Sequence, residues 1–296
     1  MGVAEAEIIG VVALICLVTA AAVRLWSSFA QKEQAKILEN PQIHAGICQT
    51  TGNQEFQADR VQVQRTSAGI LAVAADGIGK MNTGQVCAQI AVDTVLDRFE
   101  PYEVLNQPDY FFRTAFYEAN QRIQATLGER RGGASLGAVF INRTHFHYAI
   151  AGNVRIALFR GGELIPLSKG QTLDILAVEA WKNGKITRQE ALWSMEEKRL
   201  WNYLGMDGFH EIEIDHQPVL TKAEDVVLLA TCGVFEELSW SELEDLVAGR
   251  GSLQQRAEAI IQAVEQKEGF QKENGSVMLL QVPEAGENSD QYGGMA

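Results

Sequence analysis

Cysteine is scarce in this sequence, and positive charge is in deficit. Of 296 residues four are cysteine (Cys16, Cys48, Cys87 and Cys232), far apart in the chain. They form no CxxC pair and no CxxC…HxxxH frame, which excludes a zinc site built mainly on cysteine. A disulfide scaffold is excluded by the same scarcity in a chain this long, so free, mostly buried thiols in a reducing compartment are expected. Lysine and arginine number 25 against 38 aspartates and glutamates, a formal charge of −13. Phosphate-backbone binding needs a concentrated basic surface, so no nucleic-acid partner is expected. Gly79-Lys80 does not complete a P-loop, because position 74 is alanine and Met81 stands where serine or threonine is needed. From about Ile43 to Val282 there is no low-complexity linker and no internal repeat. What is present is an ordinary globular composition, 46% hydrophobic and 21% charged, long enough to support its own core.

The N-terminus carries the one long apolar run. Ile8 to Val23 reads IIGVVALICLVTAAAV without a charge, and Arg24 and Trp26 suit the membrane interface. Residues 8–26 are therefore expected to be a single-pass transmembrane anchor. A cleaved signal peptide fits less well, because Glu5 and Glu7 precede the run and no lysine or arginine does. Arg24, Lys32 and Lys36 follow it, which places the body on the cytoplasmic side of the cell membrane. Residues 27–42 read as a juxtamembrane stalk ending near Pro41, residues 43–282 as one folded domain, and residues 283–296 as a disordered tail.

Within the body, short apolar or alternating segments bounded by turns predict strands at His44–Thr50, Arg60–Gln64, Ile70–Ala75, Ser135–Ile141 and His145–Ala151, and again at Ile156–Arg160, Glu211–Ile214, Asp225–Thr231 and Ser276–Val282. Helical spacing predicts helices at Gly84–Phe99, Pro108–Leu127, around Leu176–Val178, and at Thr187–Leu200, Ser239–Ala248 and Leu253–Gln266. Antiparallel hairpins interrupted by helix pairs make the fold class α+β.

Four segments carry candidate chemistry. In ILAVAADGIG an apolar strand runs into Asp76-Gly77; an aspartate there can hold a cation, and a glycine lets a backbone carbonyl approach. The competing reading is an Asp-Gly turn after a buried strand. Asp59 precedes a strand, Val226–Gly233 is a second apolar strand ending in glycine, and Glu273-Asn274-Gly275 precedes the last strand. His145 and His147 share one face of a strand and are expected to be half-exposed. Trp181, Trp193 and Trp201 are expected to pack, and His210 and His216 show no partner.

In order and spacing these segments resemble the protein phosphatase 2C family, the metal-dependent PPM phosphatases, over about Ala45 to Val282. The family's bacterial pattern runs GxRxxxQD or NED, VADGMGG, VGDSRxYLLRxGxLxxLTxDHSL, LLLxSDGL and DNxTVxxV. Here GNQEFQAD stands at 52–59, VAADGIGK at 73–80, IAGNVRIALFRGGELIPLSKGQTL at 150–173, LLATCGVFEEL at 228–238 and ENGSVMLLQV at 273–282. KNGKITRQEA at 182–191 resembles the family's GxITxEEA helix start. The resemblance implies a β-sandwich of two antiparallel sheets flanked by helix pairs. It also implies hydrolysis of phosphoserine or phosphothreonine with two Mn²⁺ or Mg²⁺ ions, so a phosphoprotein or a Ser/Thr kinase is the expected partner.

Carried over residue by residue, Asp76 matches the bridging aspartate, Gly77 the carbonyl ligand and Asp59 the acid of the first motif, so Asp59 and Asp76 are the expected catalytic pair. There are departures, and those at Cys232, Glu273 and Gln54 fall on one site. The SDG aspartate is Cys232, the DN aspartate is Glu273, the phosphate-binding arginine falls on Gln54, the second glycine of DGxGG is Lys80, and the aspartate of GDSR is Asn153. A thiol is a soft, poor ligand for Mg²⁺, and Gln54 cannot form a charge-assisted fork. Asp59, Asp76, Gly77 and Glu273 thus remain as metal ligands, for one ion or none, and Lys80 is a candidate replacement charge. The expectation is a membrane-anchored pseudophosphatase, weak or inactive, that acts in phosphoprotein signalling by binding. The alternative is an active Mn²⁺- or Mg²⁺-dependent Ser/Thr phosphatase opposing a kinase at the membrane.

Overall fold

The computed structural model describes residues 43–282 apart from 81, 195–198 and 270. The expected anchor over residues 8–26, stalk over 27–42 and tail over 283–296 lie outside the described residues, among which no helix is long and apolar enough to cross a membrane. The chain runs β1 (His44–Thr50), β2 (Arg60–Thr66), β3 (Gly69–Ile78), α1 (Thr83–Asp97), α2 (Pro101–Asn106), α3 (Pro108–Leu127), β4 (Gly133–Ile141), β5 (His145–Ala151), β6 (Arg155–Arg160) and β7 (Glu163–Pro166). It continues through α4 (Leu173–Lys182), α5 (Arg188–Ser194), β8 (Glu213–Ile214), β9 (Val219–Leu220), β10 (Val226–Ala230), α6 (Cys232–Phe235), α7 (Trp240–Val247), α8 (Leu253–Gln266) and β11 (Gly275–Gln281).

The strands form two antiparallel sheets. One has the order β1-β11-β10-β6-β7; the other has the order β2-β3-β4-β5-β8, with β9 also on β5. The period-2 geometry of a strand explains why β3 is apolar throughout: both of its faces are covered. Ile70, Ala72 and Ala74 face the opposite sheet and meet Val227, Leu229, Met278 and Leu280. Leu71, Val73 and Ala75 face α1 and α3, where Phe111, Phe112 and Phe116 fill the layer. On the far side Val226, Leu228, Val277 and Leu279 pack under α7 and α8 through Leu243, Ile260 and Val264. Both of these helices begin with a reciprocal capping box, Ser239 with Glu242 and Ser252 with Gln255. The result is a helix–sheet–sheet–helix sandwich.

Five readings are corrected. Asp76-Gly77 is not a turn; β3 continues through it, with Asp76 opposite Ser135, and the chain turns only at Gly79. His147 is buried at 4% exposure rather than half-exposed. Trp181 and Trp193 are 43% and 68% exposed, so they do not pack into the domain. His216 has a partner, the Asp109 carboxylate at 2.7 Å, and His210 Nδ1 lies 2.7 Å from the Gly208 carbonyl. The helix expected over 187–200 is described as α5 alone, and Leu200 instead pairs with Thr172 in an isolated bridge.

Candidate active site

The site forms at one end of the sandwich, where strand ends from both sheets come together. The end of β3 brings Asp76 and Gly77, the end of β10 leads into Cys232, the start of β11 follows Glu273, and the 51–59 loop leads into β2. Asn274 shapes that loop: its Oδ1 accepts from the Ala58 N–H at 2.7 Å, and its Nδ2 donates to the Thr51 and Phe56 carbonyls at 2.9 and 3.1 Å. Gly77 has no room for a side chain, because a Cβ would strike the backbone carbonyls of Gly84 and Ala58. These constraints shape a cleft of about 790 Å³ whose walls include Gln54, Phe56, Asp76, Gly77, Lys80 and Glu273.

Asp59 lies behind that wall and ties one sheet to the other. Its Oδ2 accepts from the Thr231 and Ser276 hydroxyls, both at 2.7 Å, while Thr231 Oγ1 also accepts from the Ser276 N–H at 2.8 Å. Its Oδ1 is buried without a hydrogen-bond partner. Asp76 accepts from the Cys232 thiol and from the Cys232 backbone N–H. Burial raises the Asp59 and Asp76 carboxyls above the ordinary aspartate range, and neighbouring acids push further: Asp76 acts on Asp59, and Glu273 and Glu236 act on Asp76. Glu273 is raised by burial and by Glu236. The Cys232 thiol is pushed well up by burial and by Asp76, so it stays protonated. This crowding of acids is what a bound cation relieves.

Of the residues singled out in the sequence, Gln54, Asp76, Gly77 and Glu273 come together on the cleft wall, and Asp59 and Cys232 sit within electrostatic reach of Asp76. Gln54 is committed elsewhere, since its Nε2 donates to the Lys272 carbonyl at 3.2 Å. Sequence reasoning missed Thr231, Ser276 and Glu236. Glu236 carried a signal: it is the C-cap of α6, four residues after Cys232 and one turn along from it.

No family model matches the chain. Among curated proteins it is 22% identical over 245 residues to the serine/threonine phosphatase stp of Listeria welshimeri, covering 77% of this chain and 94% of the relative. It is 26% identical over 224 residues to the protein phosphatase PhpP of Streptococcus pneumoniae, covering 72% and 85%. The Streptococcus agalactiae serine/threonine phosphatase structure superposes with a TM-score of 0.72 at 19% identity, covering 81% of this chain and 99% of that one. The catalytic domain of PstP in complex with two manganese ions gives 0.64 at 19% identity, covering 81% and 98%. The chain therefore has the protein phosphatase 2C (PPM) fold and resembles the bacterial serine/threonine phosphatases of that family.

That fold implies two divalent ions, and the donor set here meets the requirement in part. Asp76, the Gly77 carbonyl and Glu273 are hard oxygen donors on the wall of an acid-rich cleft, with the orphaned Asp59 Oδ1 buried behind it, and such donors suit Mn²⁺ or Mg²⁺. At the second position stands Cys232, a soft donor poorly matched to either ion. Among the described residues no group of three or more His, Cys, Asp or Glu side chains converges as a preformed ion site.

Proposed function

We propose that the domain acts on phosphoserine or phosphothreonine in a protein substrate, as a divalent-cation-dependent phosphomonoester hydrolase of reduced strength. The observation that carries this reading is the convergence of Asp76, the Gly77 backbone and Glu273 on one cleft at the meeting of the two sheets. The names of the relatives support the same class of activity. A cation held by Asp76 and Gly77 would lower the pKa of a bound water and offset phosphoryl charge. Asp76 would hold it, and Asp59 would keep the two sheets in register beneath it. Cys232 weakens the arrangement, because its thiol and N–H both draw on the Asp76 carboxylate that a cation needs.

That same contact favours a second reading, in which the cleft recognises a phosphoprotein without turning it over. Hydrolysis of p-nitrophenyl phosphate and a phosphothreonine peptide by the full chain, with and without Mn²⁺, separates the two. Mn²⁺-dependent turnover lost in Asp76→Asn supports the enzyme; retained phosphopeptide binding with no turnover supports the binding protein. The proposal includes a single-pass anchor over residues 8–26 with the domain cytoplasmic, opposing a kinase at the membrane, on the strength of the uncharged run and the basic residues that follow it. Release of the full chain from membranes by carbonate rather than by detergent alone would defeat the anchor.

A further inference from the structure

A phosphomonoester dianion has to be met by positive charge, and the residue at the family's arginine position does not supply it. Gln54 is uncharged, and its amide donates to the Lys272 carbonyl. Lys272 is not available either: its Nζ is buried and donates to the Val264 and Glu265 carbonyls at the end of α8, at 3.0 and 2.8 Å. Among the described residues lining the cleft, Lys80 is the one lysine or arginine. Its side chain is exposed, and it makes no ion pair among the described residues.

The backbone beneath Lys80 is constrained. Gly79 adopts φ 147°, and the Thr83 N–H closes the turn onto the Lys80 carbonyl at 3.2 Å. Asn82 caps α1 through its backbone position, but its side chain makes no capping hydrogen bond and lines the same cleft. The turn that leaves β3 thus presents a free ammonium and a free amide a few residues beyond Asp76.

We propose that Lys80 is the phosphoryl-binding cation of this cleft, with the Asn82 amide as a second donor, in place of an arginine at position 54. The inference rests on the reading of the cleft as a phosphomonoester site. An ammonium acts as a point charge rather than a fork, so recognition is of charge more than of orientation. The test is binding of a phosphothreonine peptide and its unphosphorylated counterpart to the full chain by fluorescence anisotropy, with and without Mn²⁺. Lys80→Gln is expected to weaken phosphopeptide binding about tenfold and leave the unphosphorylated peptide unchanged, the loss of one charge-assisted contact. Lys80→Arg is expected to keep the affinity, and Gln54→Arg to restore it in the Lys80→Gln background. Wild-type preference for the phosphopeptide that survives Lys80→Gln overturns the role of Lys80 alone. A wild-type chain that does not distinguish the two peptides overturns the reading of the cleft, and this inference with it.

Discussion

Cys232 concentrates the chemistry of the site in one side chain. Its thiol lies beside Asp76 and Glu236 and remains neutral where a carboxylate would add a third charge. Cys232→Asp is therefore expected to act in opposite directions on stability and on activity. Without a divalent ion the added charge meets Asp76 and Glu236, and the melting temperature falls by a few degrees, at roughly 2–4 °C per kcal/mol for a domain of this size. With Mn²⁺ the melting temperature recovers, and p-nitrophenyl phosphate hydrolysis rises at least about tenfold. A variant that melts lower and gains nothing with Mn²⁺ would show that the thiol is not what limits the site.

A second residue sets an acid limit. His147 is 4% exposed, and its Nδ1 has no partner. Burial first, and His145 next, lower its pKa from 6.5 to about 4, against opposing pulls from Asp215 and Asp109. The folded state thus resists a proton that the unfolded chain accepts. The stability from this group is complete above pH 6.5 and is lost as pH falls toward about 4. Urea melts at pH 7 and 5 are expected to show that loss in the wild type and a smaller one in His147→Leu.

Between elements, the edge strand β1 shows how the fold closes. The outward backbone of Ile47 is taken up by α8: Gln254 Oε1 accepts from the Ile47 N–H, and Gln254 Nε2 donates to the Ile47 carbonyl, both at 3.0 Å. This covers an edge that would otherwise be open for pairing. The close approach depends on Gly46, where a Cβ would strike the Leu253 carbonyl. Gly46→Ala is expected to cost about 1–3 kcal/mol, because backbone meets the added methyl and cannot yield as a side chain would. Chemical denaturation reads that cost, and an unchanged midpoint would mean that α8 does not dock as described.

The long elements were legible in sequence because their signals are local. β3, β10 and β11 are apolar on both faces, and α3 and α8 keep their spacing for several turns. α2, α6 and β9 escaped, being too short to show a period. Asp59, Asp76 and Glu273 were found through motif order; Glu236 and the hydroxyls that hold Asp59 were not. Thr231 and Ser276 lie 172 and 217 positions from it, a separation at which a hydrogen bond leaves no local pattern. The Asp-Gly pair misled for a related reason: its turn-forming habit is local, whereas nine consecutive pairings with β4 keep β3 extended through it.

For the molecule as a whole, the site is a cluster of crowded, largely buried acids where the ends of the two sheets come together, in a chain that carries −13 overall. Asp59, Asp76 and Glu273 are all held above their ordinary pKa range by burial and by one another or by Glu236. The folded state therefore keeps them close at a cost that the unfolded chain, with its acids apart, does not bear. A cation that binds only the folded arrangement offsets that cost and adds its own binding energy, about 2.7 kcal/mol at a hundred times its dissociation constant. At roughly 2–4 °C per kcal/mol, millimolar Mn²⁺ is expected to raise the melting temperature of the wild type by about 5–10 °C, and EDTA to return it. Asp76→Asn should behave differently in both states. It keeps an oxygen for the Cys232 N–H while removing a charge from the cluster, so it should melt higher than the wild type in EDTA and gain nothing from Mn²⁺. A wild type indifferent to Mn²⁺, Mg²⁺ and EDTA alike would remove the cation from the account of this fold.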